Sequence, residues 1–307
     1  MRLPGDVIRY HAEMLSDRVR TSSYLELIGR NVRAGDVVID IGTGTGIFAI
    51  AAARAGAAHV YAIEAGPIAR VAEEVFRANG VQDCITLIRN WSTQVRLPRA
   101  ADVVVSELIG NDPLAERVLG ITKDAIRRFL RPGGRLLPSG LRILGFPVEL
   151  PDAEIRRWMF RPQALDSWHS WYGLEFGPLA NVEHVDGSFD YVNPRRMRNW
   201  KRLTEPLLLA EMDFKRWKRL WIRSERRTVA TADGRLDGFV VYFELIDEGT
   251  PFLSTHPAEV KKDNHWLSPL YLFDRAEEVK SGDAIALSYQ YQLGTGQSYC
   301  VVRNGHG

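Results

Sequence analysis

The segment DVVIDIGTGTG (36–46) limits the possible folds more than any other stretch of this chain. A β-branched apolar run ends in glycines at alternate positions, Gly42, Gly44 and Gly46, and the run TGIFAIAAARAGA (45–57) follows at once. The first run favours a strand; the second favours a helix that Gly56 closes. Glycines between them let the backbone turn tightly and approach a ligand without Cβ interference. The helix start behind them favours anionic groups. The dinucleotide fingerprint G-x-G-x-x-G fails, because the sixth position from Gly42 is Ile47.

The alternation continues. HVYAIE (59–64) reads as a second strand, IARVAEEVFRANG (68–80) as a helix stopped by Gly80, CITLIRN (84–90) as a third strand and ADVVVSE (101–107) as a fourth. A helix is expected around 114–130, ending before RPGG (131–134), with RLLPSG opening a further strand. Such alternation predicts an α/β, Rossmann-like, doubly wound parallel sheet with helices on both faces. The second half changes texture. Short strand candidates crowd together: RILGFPVEL (142–150), LLLAEMDF (207–214), RTVATADG (227–234), GFVVYFELI (238–246), PLYLF (269–273) and AIALSYQYQL (284–293). They predict a mostly antiparallel sheet or barrel. The expected boundary lies near Pro138 to Gly140, giving domains 1–140 and 141–307.

With 307 residues the chain has ample core for two domains, and a formal charge of +2 gives no global pull toward nucleic acid or membrane. Two cysteines, Cys84 and Cys300, make neither a disulfide framework nor a metal spacing. No stretch has signal-peptide or membrane-span character. A soluble, cytoplasmic protein without a metal is expected. One segment breaks the balance: residues 195–227 hold twelve Lys or Arg against four Asp or Glu, a local net of +8. A solvated basic face is the simplest reading, and a site for an acidic partner or nucleic acid the lesser one.

Carboxylates then mark a site. Glu64 ends the second strand, 22 residues after Gly42, where an acid can accept from both hydroxyls of a ribose. In SELIGNDPLAE (106–116), Glu107 ends the fourth strand beside the first, and the GNDP turn can return Glu116 to the same crevice. Two carboxylates in a shielded pocket repel unless a cation lies between them. A planar guanidinium suits both.

The G-x-G-x-G spacing is typical of S-adenosylmethionine-dependent methyltransferases, and SELIGNDPLAE resembles the double-glutamate loop of the protein arginine methyltransferase family. HAEMLSDRVRTSSY (11–24) resembles that family's cofactor-covering helix, NHWLSPLYLF (264–273) its Thr-His-Trp loop with Asn264 in place of Thr, and WYGLEF (171–176) the lead-in to its dimerisation arm. The resemblance spans nearly the whole chain. It implies a C-terminal β-barrel, an arm at about 173–205, a homodimer, S-adenosyl-L-methionine as cofactor and an arginine or arginine-containing substrate. It implies that Arg20 pairs with the methionine carboxylate and that His11 and Met14 lie against the cofactor. Asp40, Gly42 and Gly44 would form the cofactor turn, and Glu64 would hold the ribose. Glu107 and Glu116 would clamp the guanidinium, Asp17 and His265 would tie the barrel to the N-terminal helix, and Trp266 would wall the substrate pocket. Individually, His11, Met14 and Leu15 could be a core face and Asp17 with Arg20 a surface pair.

The chain departs from the family in four places. Met1, Arg2 and Gly5 stand where the family has an aromatic helix over the substrate groove. RNWSTQV (89–95) follows ITLI where an acid is usual, so adenine is expected to meet backbone groups or Thr93. Ile109 and Val118 replace usual methionines, so with Asn111 they are where product choice is expected to lie. The basic run would repel arginine-rich tails. The leading expectation is therefore a guanidine N-methyltransferase acting on free L-arginine or a small arginine-containing molecule. The alternatives are a protein arginine methyltransferase, a methyltransferase for another amine or a ribosomal-type protein, and a non-catalytic cofactor-binding scaffold.

Overall fold

The structure, a computed structural model, describes residues 3–158, 163–181, 189–292 and 297–304. Two helices lead in, α1 (Gly5–Ser16) and α2 (Arg18–Asn31), broken at Asp17. Then follow β1 (Val37–Ile41), α3 (Ile47–Arg54), β2 (His59–Ile63), α4 (Ala69–Ala78), β3 (Ile85–Ile88), β4 (Ala101–Ser106), α5 (Val118–Arg128) and β5 (Leu130–Leu137). These five strands form one all-parallel sheet in the order β3-β2-β1-β4-β5. Every residue of β1 is buried, as the unbroken apolar pattern of a strand covered on both faces requires. The winding direction reverses between β1 and β4, so a crevice opens beyond their carboxyl ends, the usual ligand position in such sheets.

The second half begins with β6 (Gly140–Glu149), followed by α6 (Asp152–Trp158), α7 (Gln163–Tyr172), β7 (Phe189–Val192), β8 (Lys201–Arg202), β9 (Leu207–Asp213), β10 (Ile222–Val229), β11 (Gly234–Asp247), β12 (Thr250–Ser254), β13 (Ser268–Val279), β14 (Ala284–Gln292) and β15 (Gln297–Asn304). All ladders here are antiparallel. They form two hydrogen-bonded sheets, one running β7-β13-β11-β6-β8 with β9 on β6 and β12 on β11, the other β10-β14-β15. Among the described residues no ladder closes the two sheets into a full cylinder.

Some boundaries differ from the sequence reading. The helix expected from 114 starts only at Val118, because residues 112–116 belong to a pinned loop. The RPGG run lies inside β5, where the ladder with β4 shifts register between Ala101 and Val103. The strand expected at 227–234 is β10, five residues earlier. Of the span expected for an arm, 182–188 lies outside the described residues. Its later part is built into the sheet edge, with β7 paired to β13.

Candidate functional site

Gly42 and Gly44 follow β1 with φ of +75° and +55°, conformations that side chains rarely tolerate. A Cβ on Gly42 would lie 2.6 Å from Leu108 Cδ2, and one on Gly44 would lie 3.3 Å from the His11 ring. Glu64, just past β2, holds the turn: its Oε2 accepts from the Gly44 N–H at 2.9 Å and its Oε1 from the Gly66 N–H at 2.6 Å. A carboxylate has about four acceptor positions, so capacity remains for hydroxyl donors. Asp40 lies beneath the loop, fully buried, with Oδ2 accepting from the Thr43 hydroxyl at 2.6 Å. Burial pushes its carboxyl up to about 7 against the Thr43 hydrogen bond. Asp40 therefore supports the turn from below and does not itself line the cavity.

That cavity measures about 380 Å³. His11 and Met14 of α1, Arg20 of α2, Gly42, Gly44, Glu64, Glu107, Glu116 and His265 all line it. The structure thus gathers nine of the sequence-predicted site residues around one space. A helix with no buried residue of its own, α1, supplies part of the cover.

The two glutamates differ. Glu107 lies deep, its side chain 5% exposed, with Oε2 accepting from Arg20 Nε at 2.9 Å and from Arg20 Nη2 in a shorter contact. Its Oε1 accepts from the Ile109 N–H at 3.1 Å. Glu116 stands at the open side with no hydrogen-bond partner among the described residues. Burial and then the nearby Glu107 charge push its carboxyl above the ordinary glutamate range. Arg117 follows at φ +60°, a left-handed conformation uncommon for a residue other than glycine, and this swings the chain from the loop into α5. Arg20 is itself 5% exposed, with Phe48 at 5.5 Å and Trp266 at 6.0 Å from its guanidinium carbon. The structure seats Arg20 on Glu107, where the sequence reading had assigned it to a ligand carboxylate; its Nη1 makes only a long contact, 3.4 Å, to the Met14 carbonyl.

The loop carrying both glutamates is stitched to the second half of the chain. Trp266 Nε1 donates to the Ile109 carbonyl at 2.8 Å, and the Leu267 N–H donates to Asn111 Oδ1 at 2.8 Å. The Ser298 N–H donates to Asp112 Oδ2 at 3.1 Å, and the Tyr291 hydroxyl donates to the Leu114 carbonyl at 2.8 Å. Trp266, 2% exposed, therefore holds the loop from behind and does not wall the cavity as expected. Asp17, also 2% exposed, lies behind the cavity and accepts from the His265 backbone N–H at 3.1 Å and from His265 Nδ1 at 2.9 Å. A carboxylate only accepts, so Nδ1 carries the proton.

Several expectations about the rim are corrected. Thr93 is exposed on a short 3-10 turn and does not line the cavity; Asn90, Trp91 and Ser92 do. Of the positions expected to set product choice, Ile109 lines the cavity, whereas Val118 and Asn111 do not. Sequence reasoning missed Tyr10, which lines the cavity with its ring centroid 5.5 Å from that of His11. Burial, then the charges of Glu116 and Glu107, push its phenol up, so the hydroxyl stays a donor. Its signal was available: Tyr10 precedes His11 on the helix already assigned to the cover.

These residues fit S-adenosylmethionine. A Cβ-free glycine floor allows close approach to the backbone, and an acid with spare acceptor positions at the end of β2 suits the ribose hydroxyls; the Arg20 guanidinium, paired with Glu107, lines the same cavity.

Comparisons with known proteins agree. Residues 19–145 match the ribosomal protein L11 methyltransferase (PrmA) family model, and residues 153–297 match the arginine methyltransferase oligomerization subdomain. An arginine N(omega)-methyltransferase of Streptomyces achromogenes subsp. streptozoticus is 32% identical over 92% of this chain and 76% of its own length. Protein arginine N-methyltransferase 6 of Danio rerio is 30% identical over 89% of this chain and 78% of its own. Probable protein arginine N-methyltransferase 6 of Arabidopsis thaliana is 28% identical over 91% of this chain, which spans 64% of that relative's length. Two solved structures share the fold over 96% of this chain and 97% of theirs. They are the Trypanosoma brucei PRMT1 enzyme-prozyme heterotetrameric complex with AdoHcy, at TM-score 0.78 and 22% identity, and Arabidopsis thaliana protein arginine methyltransferase 10, at 0.73 and 23%. Likeness over nearly the whole chain, in sequence as well as fold, means that the chain belongs to the protein arginine methyltransferase family of S-adenosylmethionine-dependent enzymes.

Proposed function

We propose that this protein transfers a methyl group to a guanidinium nitrogen of arginine, with free L-arginine or a small arginine-containing molecule favoured over a folded protein. The observation that carries the reaction is Glu107 and Glu116 facing one cavity with the glycine turn and Glu64. When bound, S-adenosylmethionine supplies an electrophilic methyl group on sulfur. The chain's own residues do the rest. Glu116 offers a free carboxylate at the mouth, and Glu107 offers its less occupied Oε1. A guanidinium between them is held in one plane by paired N–H donors. Unequal pairing concentrates electron density on the attacking nitrogen. Holding two reactants in line is worth roughly 7–11 kcal/mol of barrier, the largest contribution available here.

The size of the substrate is supported by three things. The family's aromatic positions are Met1, Arg2 and Gly5 in this chain, and Tyr10 is the aromatic residue of α1 at the cavity. The basic run at 195–227 disfavours cationic tails. The Streptomyces relative is named for arginine and not for a protein. The match of residues 153–297 to an oligomerization subdomain supports the homodimer expected from the resemblance. No helix among the described residues is long and apolar enough to cross a membrane.

Incubating the protein with S-adenosylmethionine and either L-arginine or arginine-containing peptides, then reading mass spectra, tests this. One or two added methyl groups on free arginine is the expected result. Transfer only to peptides or proteins would reverse the substrate preference. Cofactor binding with no transfer to any guanidine would favour a scaffold.

A pH dependence also follows. Clamping a cation requires ionised Glu116, whose carboxyl burial and the Glu107 charge push up. As pH falls, Glu116 takes its proton earlier than an ordinary glutamate, so kcat/KM should begin to fall above the usual carboxylate range. That profile reports groups of the free enzyme. A kcat/KM that stays flat down through the ordinary glutamate range would mean that Glu116 ionisation plays no part.

A further inference from the structure

The basic run is only partly absorbed by the fold. Arg196 pairs with Glu154, Lys201 with Glu149, and Arg198 donates to the Pro257 and Val260 carbonyls. Its second half lies on a seam. β9 uses one edge to pair with β6, and β10 uses one edge to pair with β14, while their other edges form no ladder with each other among the described residues. Arg226 spans the gap instead, donating from Nε to the Leu208 carbonyl at 2.7 Å and from Nη2 to the Leu209 carbonyl at 3.4 Å.

A cavity of about 290 Å³ occupies this seam, and no residue lines both it and the methyl-transfer cavity. Beside the apolar Leu208, Leu209, Ala210 and Ile222, all but one of its polar side chains carry donors. Ser224 is 7% exposed, and its Oγ has no partner; the buried Trp217 Nε1 has none either. Arg219 lies over the Trp221 ring at 4.8 Å and has no acidic partner among the described residues. Arg223 meets Glu225 only at 3.4 Å, with both side chains about two-thirds exposed, so that pair contributes little. The one carboxylate of the lining, Glu211, is taken by Arg142 at 2.8 Å. A buried donor left without a partner is costly, so an acceptor entering the seam that reaches one relieves a cost already present. Guanidinium, indole N–H and hydroxyl groups, set against one carboxylate already paired with an arginine, favour an oxyanion over a cation. The volume is at the small end for ligand pockets.

We propose that the β9–β10 seam is a binding site for a small oxyanion, the phosphate or carboxylate group of a metabolite, separate from the methyl-transfer site. Titration calorimetry on the full chain, with inorganic phosphate and with succinate at constant ionic strength and chloride as control, tests it. Saturable binding of at least one oxyanion is expected, and the stronger arm names the source. The Arg219→Gln/Arg223→Gln double variant should bind at least about tenfold more weakly. Ser224→Ala should weaken binding several-fold, and methyl transfer should keep its wild-type rate in both. Absence of saturable binding to either oxyanion by wild type, heats matched by chloride, or unchanged affinity in the double variant would each overturn the proposal.

Discussion

Glu116→Gln is expected to lower kcat by about 10²–10³ while leaving affinity for S-adenosylhomocysteine close to wild type. The figure follows by analogy from the ~2.7–4 kcal/mol lost when one preorganised group facing developing charge is removed. Glu116 bonds nothing else among the described residues, so its loss is confined to the substrate. Glu107→Gln is expected to cost at least as much in kcat but to behave differently otherwise. Its carboxylate neutralises buried Arg20 through Nε and Nη2. A glutamine amide offers Arg20 one acceptor and two unwanted donors. Breaking one side of a buried pair costs about 3–5 kcal/mol, so this variant should also lose stability and cofactor affinity. Steady-state rates together with calorimetric titration of S-adenosylhomocysteine separate the two. Wild-type-like turnover in Glu116→Gln would remove the guanidinium clamp from the mechanism.

That contrast was not legible in the sequence, although both residues were. Glu107 and Glu116 announce themselves through strand end, turn and spacing, features local enough to read along the chain. Gly42, Gly44 and Glu64 do so for the same reason: strand, glycine turn, helix and next strand are contiguous. What fixed the difference between the glutamates was Arg20, 87 residues before Glu107, and no periodicity connects them. Trp266 is assigned by resemblance and Thr93 by a departure from it, whereas their positions depend on local and tertiary partners: the Ile109 carbonyl draws the indole behind the loop, and the 3-10 turn at 92–94 exposes Thr93. The strand β10 was read too late because Arg223, Glu225, Arg226 and Arg227 hide its alternation; only Ile222 and Ser224 of those six positions are buried.

Asp17→Ala should then show how far the two halves of the chain depend on one buried carboxylate. Asp17 ends α1, its N–H donating to the Glu13 carbonyl at 3.1 Å, and caps α2, its Oδ1 accepting from the Arg20 N–H at 3.0 Å. Its Oδ2 takes both the backbone N–H and Nδ1 of His265. Losing a cap costs about 1 kcal/mol. Stranding two donors of His265 adds about 1–3 kcal/mol. A total near 3 kcal/mol should lower Tm by about 6–10 °C. Asparagine should rescue poorly, since its amide would either face the His265 donors or abandon the cap. The effect must depend on pH. Burial alone would raise the Asp17 carboxyl, but hydrogen bonds from His265 and from the Arg20 N–H outweigh it and hold it below the usual aspartate range. Its stabilisation is therefore complete above the unfolded value of about 3.9 and is lost as pH falls through the lower folded value. Wild type and variant should converge in acid. Activity separates a joint from a mere staple: Arg20 enters the cavity from the first turn of α2, so kcat should fall along with stability. A double-mutant cycle with His265→Ala should give coupling near 1–2 kcal/mol; strictly additive losses would mean that α2 and the His265 loop are held together elsewhere.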